Sequence, residues 1–496
     1  MEYFIGADLG TSALKLLLVG GDGSICKTVS REYPVHFPNP GWSEQDPQRW
    51  WEALVSGIQE LIDGVDPEDI RGIGTGGQMH GLVILDSDDQ VIRPAILWND
   101  GRTDRQTNYL NEVVGKSVLS EQTANIAFAG FTAPKILWLQ EQEPENFARI
   151  RKIMLPKDYL NYMLTGVHCT DYSDASGMLL LDVKNRCWSE KMLSVCGITK
   201  EQMPQLFESY EVVGKLMPQV AEQLGLSADT LVVAGAGDNA AAAVGTGTVS
   251  QGRCNISLGT SGTVFVASDG FAMDKSNALH AFCHADGNYH IMGCILSAAS
   301  CNQWFCRDIL GNTDYAALQQ DITEDMLGRN DVYFLPYLMG ERSPLNDTDA
   351  RGTFTGLRMD TSRADMVQAV LEGVSFAIRD NIEVAKAQGI QVSSSTLCGG
   401  GAASGLWQQI LCNVLNIPLE IPQTEQGPGY GAAMLAMVGA GKFNSVRECA
   451  DNFRKIRKTL YPDSALAARY EERYQKFGKI YPAMRDLFKI IRKEEL

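Results

Sequence analysis

The chain has 496 residues, 45% of them hydrophobic and 21% charged, and a formal net charge of −17. That length exceeds one ordinary core of about 100–200 residues and predicts two large domains. The acidic balance argues against a general nucleic-acid binder, which needs basic surface to displace counterions. It leaves room for an anionic small ligand, because a few backbone N–H groups can cradle a phosphate inside an acidic protein.

The opening MEYFIGADLG has neither a basic stretch nor a small-residue cleavage site, so no leader is expected. No run of 18 apolar residues predicts a membrane span. Twelve scattered cysteines then read as reduced thiols, and a cytoplasmic location is expected. The closing FKIIRKEEL reads as a mixed-charge helix end.

In chain order, IGADLGTSALKLLLV (5–19) reads as a hairpin. Ile5 to Leu9 and Leu14 to Val19 are strand-like, and Gly10-Thr11-Ser12 joins them. GGDGS (20–24) adds a turn. Asp46 as N-cap, Pro47 after it and the apolar stripe Trp51, Leu54, Ile58, Leu61 predict a helix. IRGIGTGG (70–77) and GLVILD (81–86) read as strands, so strand and helix alternate as in an α/β domain.

Residues 134–225 are richer in helix. LVVAGAGDNAAAAVGTG (231–247) reads as a buried strand, a glycine turn and a short Ala-rich helix. The chain then restarts: CNISLGTSGTVFVASDG (254–270) repeats the layout of 5–23. Val367, Val370, Leu371, Val374, Ile378 and Ile382 fall at helical spacing. STLCGGGAASG (395–405) follows as a strand and glycine turn opening another helix. The domain boundary is expected near residue 248, giving domains 1–248 and 249–496.

A single LGTS is only a tight turn; two copies in matching contexts suggest two similar domains, each presenting hydroxyls and N–H groups to a phosphate chain. GAGDNA (235–240) fits a dinucleotide fingerprint, but Asp238 would put a carboxylate at the pyrophosphate. As a carboxylate freed by flanking glycines, Asp238 can instead approach a substrate hydroxyl, or serve merely as a helix N-cap. VGKSV (114–118) fails the P-loop pattern, since Leu110 stands where glycine is required.

GTGGQMHGL (74–82) sets Gln78, Met79 and His80 beside glycines, a mixture of hydrogen-bonding and apolar groups that suits a polyol or sugar. Asn99, Asp100 and Arg102 in ILWNDGRTD (96–104) read equally as sugar contacts or as a polar turn. HAFCH (280–284) has metal-ligand spacing without a second cluster, and a structural role is the better reading. GGGAASG (399–405) would let a flat base or ribose approach the backbone.

With these pieces assembled, the sequence resembles the FGGY carbohydrate kinases over nearly its whole length. The resemblance rests on the two LGTS hairpins, WSEQDPQRWW, GQMHG, RPAILWNDGR, GFTAPKILW, LPKDYL, GAGDNAA, LSAASCNQW, FLPYLMGERSP and GGGA. GQMHG together with WNDGR is similar to the xylulose-type subgroup; GQMHG alone also occurs in sedoheptulokinase-like members.

The resemblance implies two ribonuclease-H-like α/β domains of the actin-like ATPase kind facing a central cleft. Sugar would sit mainly against the first domain and ATP mainly against the second. Asp238 is implied as the catalytic base. Gln78, Met79, His80, Asn239, Asn99, Asp100 and Arg102 are implied on the sugar side. Asp8 is implied to help hold Mg²⁺. Thr11, Ser12, Gly259, Thr260 and Ser261 are implied near the phosphates, with Gln303, Gly400 and Gly401 near the nucleoside.

The implied reaction is ATP-dependent phosphorylation of D-xylulose, with domain closure excluding water and an ordinary Asp238 pKa of about 4. A related kinase for another ketose or polyol, a non-kinase ATPase of the same fold and a sugar sensor remain as alternatives. A homodimer is the family-level expectation. Two departures, Ala403 and Tyr430, fall on the implied nucleotide side.

Overall fold

The structure is a computed structural model that describes residues 1–423 and 427–491. Two seven-stranded sheets organise it. In the first, strand Tyr3–Leu9 pairs antiparallel with Ala13–Gly20, which pairs antiparallel with Ile25–Glu32. On its other side Tyr3–Leu9 runs parallel to Ile70–Gly77, and that strand runs parallel to Leu231–Val233 and to Ala236–Gly237.

The second sheet repeats the plan. Arg253–Leu258 pairs antiparallel with Gly262–Ser268, which pairs antiparallel with Tyr289–Ile295. Arg253–Leu258 runs parallel to Ser394–Cys398, which runs parallel to Leu419–Pro422. The expected duplication of an opening hairpin thus extends to a third antiparallel strand and two parallel ones in each half. The third strand of the first half, Ile25–Glu32, has mostly exposed or half-buried residues and gives no clear alternation to read.

Local signals explain the main helices. Asp46 accepts a hydrogen bond from the Gln48 N–H, Pro47 begins Pro47–Leu61, and Trp50, Trp51, Leu54, Ile58 and Leu61 are buried. Ser362 and Asp365 form a capping box at the head of Arg363–Ala387, whose six expected apolar positions are all buried. GLVILD yields only the short strand Val83–Leu85, which pairs with Lys152–Met154 outside the main sheets. VGKSV spans the junction of two helical segments at Gly115, whose φ is 98°. The closing helix is Ile480–Ile491, and residues 492–496 of FKIIRKEEL lie outside the described residues.

The expected boundary near 248 falls between helix Asp238–Gly245 and strand Arg253–Leu258. The halves nevertheless interlock. Helix Pro428–Gly439, late in the chain, packs on the first sheet and shares one apolar core with Phe4, Leu17, Val233 and Ala241. Its approach needs glycine: a Cβ on Gly6 would stand 1.8 Å from the Gly429 carbonyl oxygen, and one on Gly431 1.8 Å from that of Ala241. Tyr430 is buried in this core, and its hydroxyl donates to the Gly23 carbonyl at 2.9 Å. The expectation that Tyr430 borders the nucleotide is therefore corrected: it ties the two halves together.

Candidate functional site

The first half gathers its chemistry where three parallel strands end. Asp8 pairs in register with Gly76 of Ile70–Gly77. On the other side of that strand, Ala236 and Gly237 pair with Gly76 and Gly77. Asp238 follows at once as the first residue of helix Asp238–Gly245. Neither Gly76 nor Gly77 carries a side chain into the space between the two carboxylates.

Asp238 is half-buried, and its carboxylate accepts hydrogen bonds from the Asn239 N–H at 2.7 Å and the Asn239 side-chain amide at 2.9 Å. Desolvation pushes its pKa up to about 6, against the pull of those two bonds. The ordinary value of about 4 expected from sequence is thereby corrected. Burial also pushes Asp8 up to about 7, the charge of Asp238 adding to the shift and Lys15 opposing it.

Gln78 is buried. Its amide donates to the Gln45 Oε1 at 3.0 Å and accepts from the Thr11 hydroxyl at 3.2 Å. Trp98 Nε1 donates to the same hydroxyl at 2.9 Å. Gln78 and Thr11 therefore brace the first LGTS turn against the sugar-type motif, while Ser12 is exposed. Met79 is buried, its sulfur 4.0 Å from the Asn239 amide nitrogen.

His80 has a left-handed backbone at φ 68°. Its Nδ1 lies 2.8 Å from the Gly177 carbonyl. Burial, with the charge of Lys135 adding, pushes its pKa down to about 3. The ring is neutral, so Nδ1–H donates to Gly177 and Nε2 keeps a lone pair for a hydroxyl donor. Buried Lys135 holds the His80 carbonyl at 2.8 Å and the Gly130 carbonyl at 2.7 Å.

Asn99 is exposed beside Trp98. Asp100 and Arg102 go elsewhere. Buried Asp100 accepts from the Ser43 N–H at 2.6 Å and from Arg102 Nε and Nη2 at 2.8 and 2.7 Å. Arg102 also pairs with Glu44 at 2.7 Å and lies 3.6 Å over the Trp42 ring. For these two residues the geometry favours a polar turn over the sugar contact implied by the resemblance, because all their polar side-chain atoms except the buried Arg102 Nη1 have partners within the protein.

In the second half, the Gly259-Thr260-Ser261 turn is held from behind: the Ala298 N–H donates to the Thr260 carbonyl and the Ala299 N–H to that of Gly259, both at 2.9 Å. A cavity of about 600 Å³ brings together Thr260, Gln303, Gly400 and Gly401, with Tyr315 and Ala403 also on its wall. Gly259 and Ser261 are outside that wall. A Cβ on Gly400 would meet nothing within 4 Å, whereas Gly399 has φ 87° and its Cβ would stand 2.8 Å from the Leu258 backbone. The first four residues of HAFCH form the buried strand His280–Cys283, and among the described residues no group of three or more His, Cys, Asp or Glu could hold a metal ion.

Sequence reasoning missed Gln45, Lys135 and Arg342. Arg342 lies in FLPYLMGERSP, a stretch used above only for its resemblance. Its guanidinium stands 5.1 Å over the Phe128 ring of the other half, and Phe131, next to Phe128, packs on His80. The signal for Arg342 was the motif itself. Gln45 in WSEQDPQRWW and Lys135 in GFTAPKILW carried the same kind of signal, while the contacts with Gln78 and His80 that give them their roles are distant in sequence.

Comparison with known proteins fits this geometry. The N-terminal domain of the FGGY family of carbohydrate kinases matches residues 3–245, and the C-terminal domain matches residues 254–440. The chain is 41% identical over 480 residues to the xylulose kinase of Escherichia coli (strain K12), covering 96% of this chain and 98% of that one. It is 39% identical over 490 residues to the xylulose kinase of Bacillus subtilis (strain 168), covering 98% of each. A crystal structure described as a xyloylose kinase from Brucella ovis superposes with a TM-score of 0.92 at 42% identity, covering 98% of this chain and 100% of that one. The chain belongs to the FGGY family of carbohydrate kinases.

Proposed function

We propose that the chain is a xylulokinase, transferring the γ-phosphoryl group of ATP to O5 of D-xylulose. The carrying observation is the placement of Asp238: a carboxylate at a helix start, facing Asp8 across one strand end and neighboured by Met79 and Asn239. The full-length likeness to xylulose kinases supports the choice of sugar.

His80 Nε2 accepts from one sugar hydroxyl, and the Asn239 amide contributes a second polar contact. Met79 packs on a carbon face. Asp238 accepts the O5 proton as O5 attacks phosphorus; the O5–P bond forms, the bond to the bridging oxygen breaks, and ADP departs. The helix dipole at Asp238 favours its ionised form, and with a pKa of about 6 the carboxylate is mostly ionised at pH 7. Catalysis beyond that is positioning and charge compensation.

ATP enters as its magnesium complex, and the metal supplies charge neutralisation at the phosphates. The donor set would fit that habit: Asp8 could hold the metal with one carboxylate, directly or through water, with substrate phosphates and waters completing the set. Thr260, Gly400 and Gly401 border the cavity proposed for the nucleotide, with Tyr315 and Gln303 on its walls. Closure of the halves would exclude water, the competing nucleophile. No helix among the described residues is long and apolar enough to cross a membrane. A cytoplasmic site of action and a homodimer complete the proposal.

The test is product identity. Incubation of the purified chain with γ-labelled ATP and D-xylulose should give a labelled 5-phosphate ester. Label appearing only in inorganic phosphate would contradict the assignment.

A further inference from the structure

Behind the strand end that carries Asp238 lies a cluster of charges that the reaction itself does not use. Lys157, Asp158, Asp171 and Asp174 have fully buried side chains. Lys157 Nζ lies 2.7 Å from Asp158, 2.9 Å from Asp171 and 3.8 Å from Asp174. One ammonium thus serves three carboxyls. Neither oxygen of Asp174 has a hydrogen-bond partner among the described residues. Burial raises its pKa well above the usual range, and raises that of Asp158 as well.

Asp171 is unevenly engaged. Its Oδ1 has the Lys157 ammonium nearby and no hydrogen-bond partner among the described residues, whereas its Oδ2 accepts the Ser173 N–H at 2.8 Å, the Ser173 hydroxyl at 2.5 Å and the Ser209 hydroxyl at 2.7 Å. A serine hydroxyl has one proton to give. That proton is given to Asp171 in a hydrogen bond, so the Ser173 oxygen can only accept from other groups. The Gly237 N–H donates to that oxygen at 3.2 Å. Gly237 is the residue immediately before Asp238 and the N-cap of its helix. Reversing the hydroxyl would point a proton at this N–H.

A buried ion pair by itself is weak evidence for stability or function. The direction of this one is what matters, because its hydroxyl relay ends on the backbone that aims Asp238. We propose that Ser173, polarised by the Lys157–Asp171 pair, is a positioning residue that fixes the Gly237–Asp238 turn for proton abstraction. The inference rests on the reading of Asp238 as the general base. It assigns roles to LPKDYL and to the DYSDASG stretch at 171–177, for which composition and spacing gave none.

The experiment compares full-length Ser173→Ala, Ser209→Ala and Asp238→Asn by thermal melting and by steady-state kinetics with ATP and D-xylulose. Ser209 donates to the same carboxylate but does not touch Gly237. Misplacement of a reacting group by about 1 Å costs on the order of 100-fold. Ser173→Ala is therefore expected to lose about 10- to 100-fold in kcat with both KM values within about twofold, while Ser209→Ala loses less than about threefold. Ser173→Cys, which keeps the side-chain shape at slightly larger size and weakens the acceptor, should show the same split and decides the matter if the alanine variant does not fold. A folded Ser173→Ala enzyme with wild-type kcat, or equal losses at Ser173 and Ser209, overturns the proposal while an inactive Asp238→Asn leaves the base assignment standing. Full activity in Asp238→Asn overturns the base assignment and the proposal with it.

Discussion

Asp8 and Asp238 flank the end of one strand: Asp8 is in register with Gly76, and the two residues before Asp238 are in register with Gly76 and Gly77. Lys15, in register with Asp8 on the neighbouring strand, offsets part of the resulting negative field. Both carboxyls are pushed upward, to about 7 and about 6, chiefly by burial. Two charges so placed are disfavoured, and a cation shared between them, as in the proposed magnesium nucleotide, would offset that cost.

The pH dependence follows with its sign. With Asp238 at about 6, kcat/KM for the sugar should fall as pH drops through that value. For stability, both folded values lie above the unfolded value of about 4, so the folded state binds more protons in the window from about 4 to about 6–7. Their contribution to stability is greatest below that window and is lost as pH rises through it. Asp238→Asn should therefore melt above wild type at pH 8, with the gap narrowing toward pH 5. A constant gap across that range would contradict the burial argument.

Asp238→Asn should also lose about 10²–10⁴-fold in kcat with little change in either KM, the usual worth of a general base. The matching measurement is steady-state kinetics at pH 7.5. Retained turnover would remove Asp238 from the chemistry.

Two adjacent glycines should separate binding from folding. Gly400→Ala meets open space, so its melting temperature should match wild type while the KM for ATP rises, roughly tenfold, as the new methyl group enters the cavity. Gly399→Ala combines φ 87° with a 2.8 Å clash against the Leu258 backbone, so it should lose stability first. Equal melting temperatures for the two variants would contradict this division.

The interlock of the halves is testable at Gly6. Its alanine variant would press a methyl group into the Gly429 carbonyl, and helix Pro428–Gly439 must shift to admit it. Denaturant unfolding should show a loss of at least about 1–3 kcal/mol. Wild-type stability would mean that the helix does not sit against this strand.

The residues legible in the sequence were those whose chemistry is local. The two LGTS turns, the Asp46 cap and the glycine-flanked Asp238 each declare themselves within a few residues. Asp100 and Arg102 did not, because the groups that claim them, Ser43, Glu44 and Trp42, lie more than fifty residues earlier and arrive only through tertiary packing. The raised pKa of Asp238 was equally hidden, since burial is a property of the fold. The resemblance puts Tyr430 on the nucleotide side, yet its helix crosses to the first sheet, a contact between the two ends of the chain. The short strand Val83–Leu85 shows a correct local reading with an unforeseen partner.

The most direct measurement is ADP release by the purified chain with ATP and Mg²⁺, against D-xylulose, L-xylulose, D-ribulose, L-ribulose, sedoheptulose, gluconate and glycerol. The account predicts fast release that depends on D-xylulose, with the other compounds far slower. Preference for another compound would keep the fold and overturn the choice of sugar; equal release with no sugar present would contradict the assignment as a sugar kinase altogether.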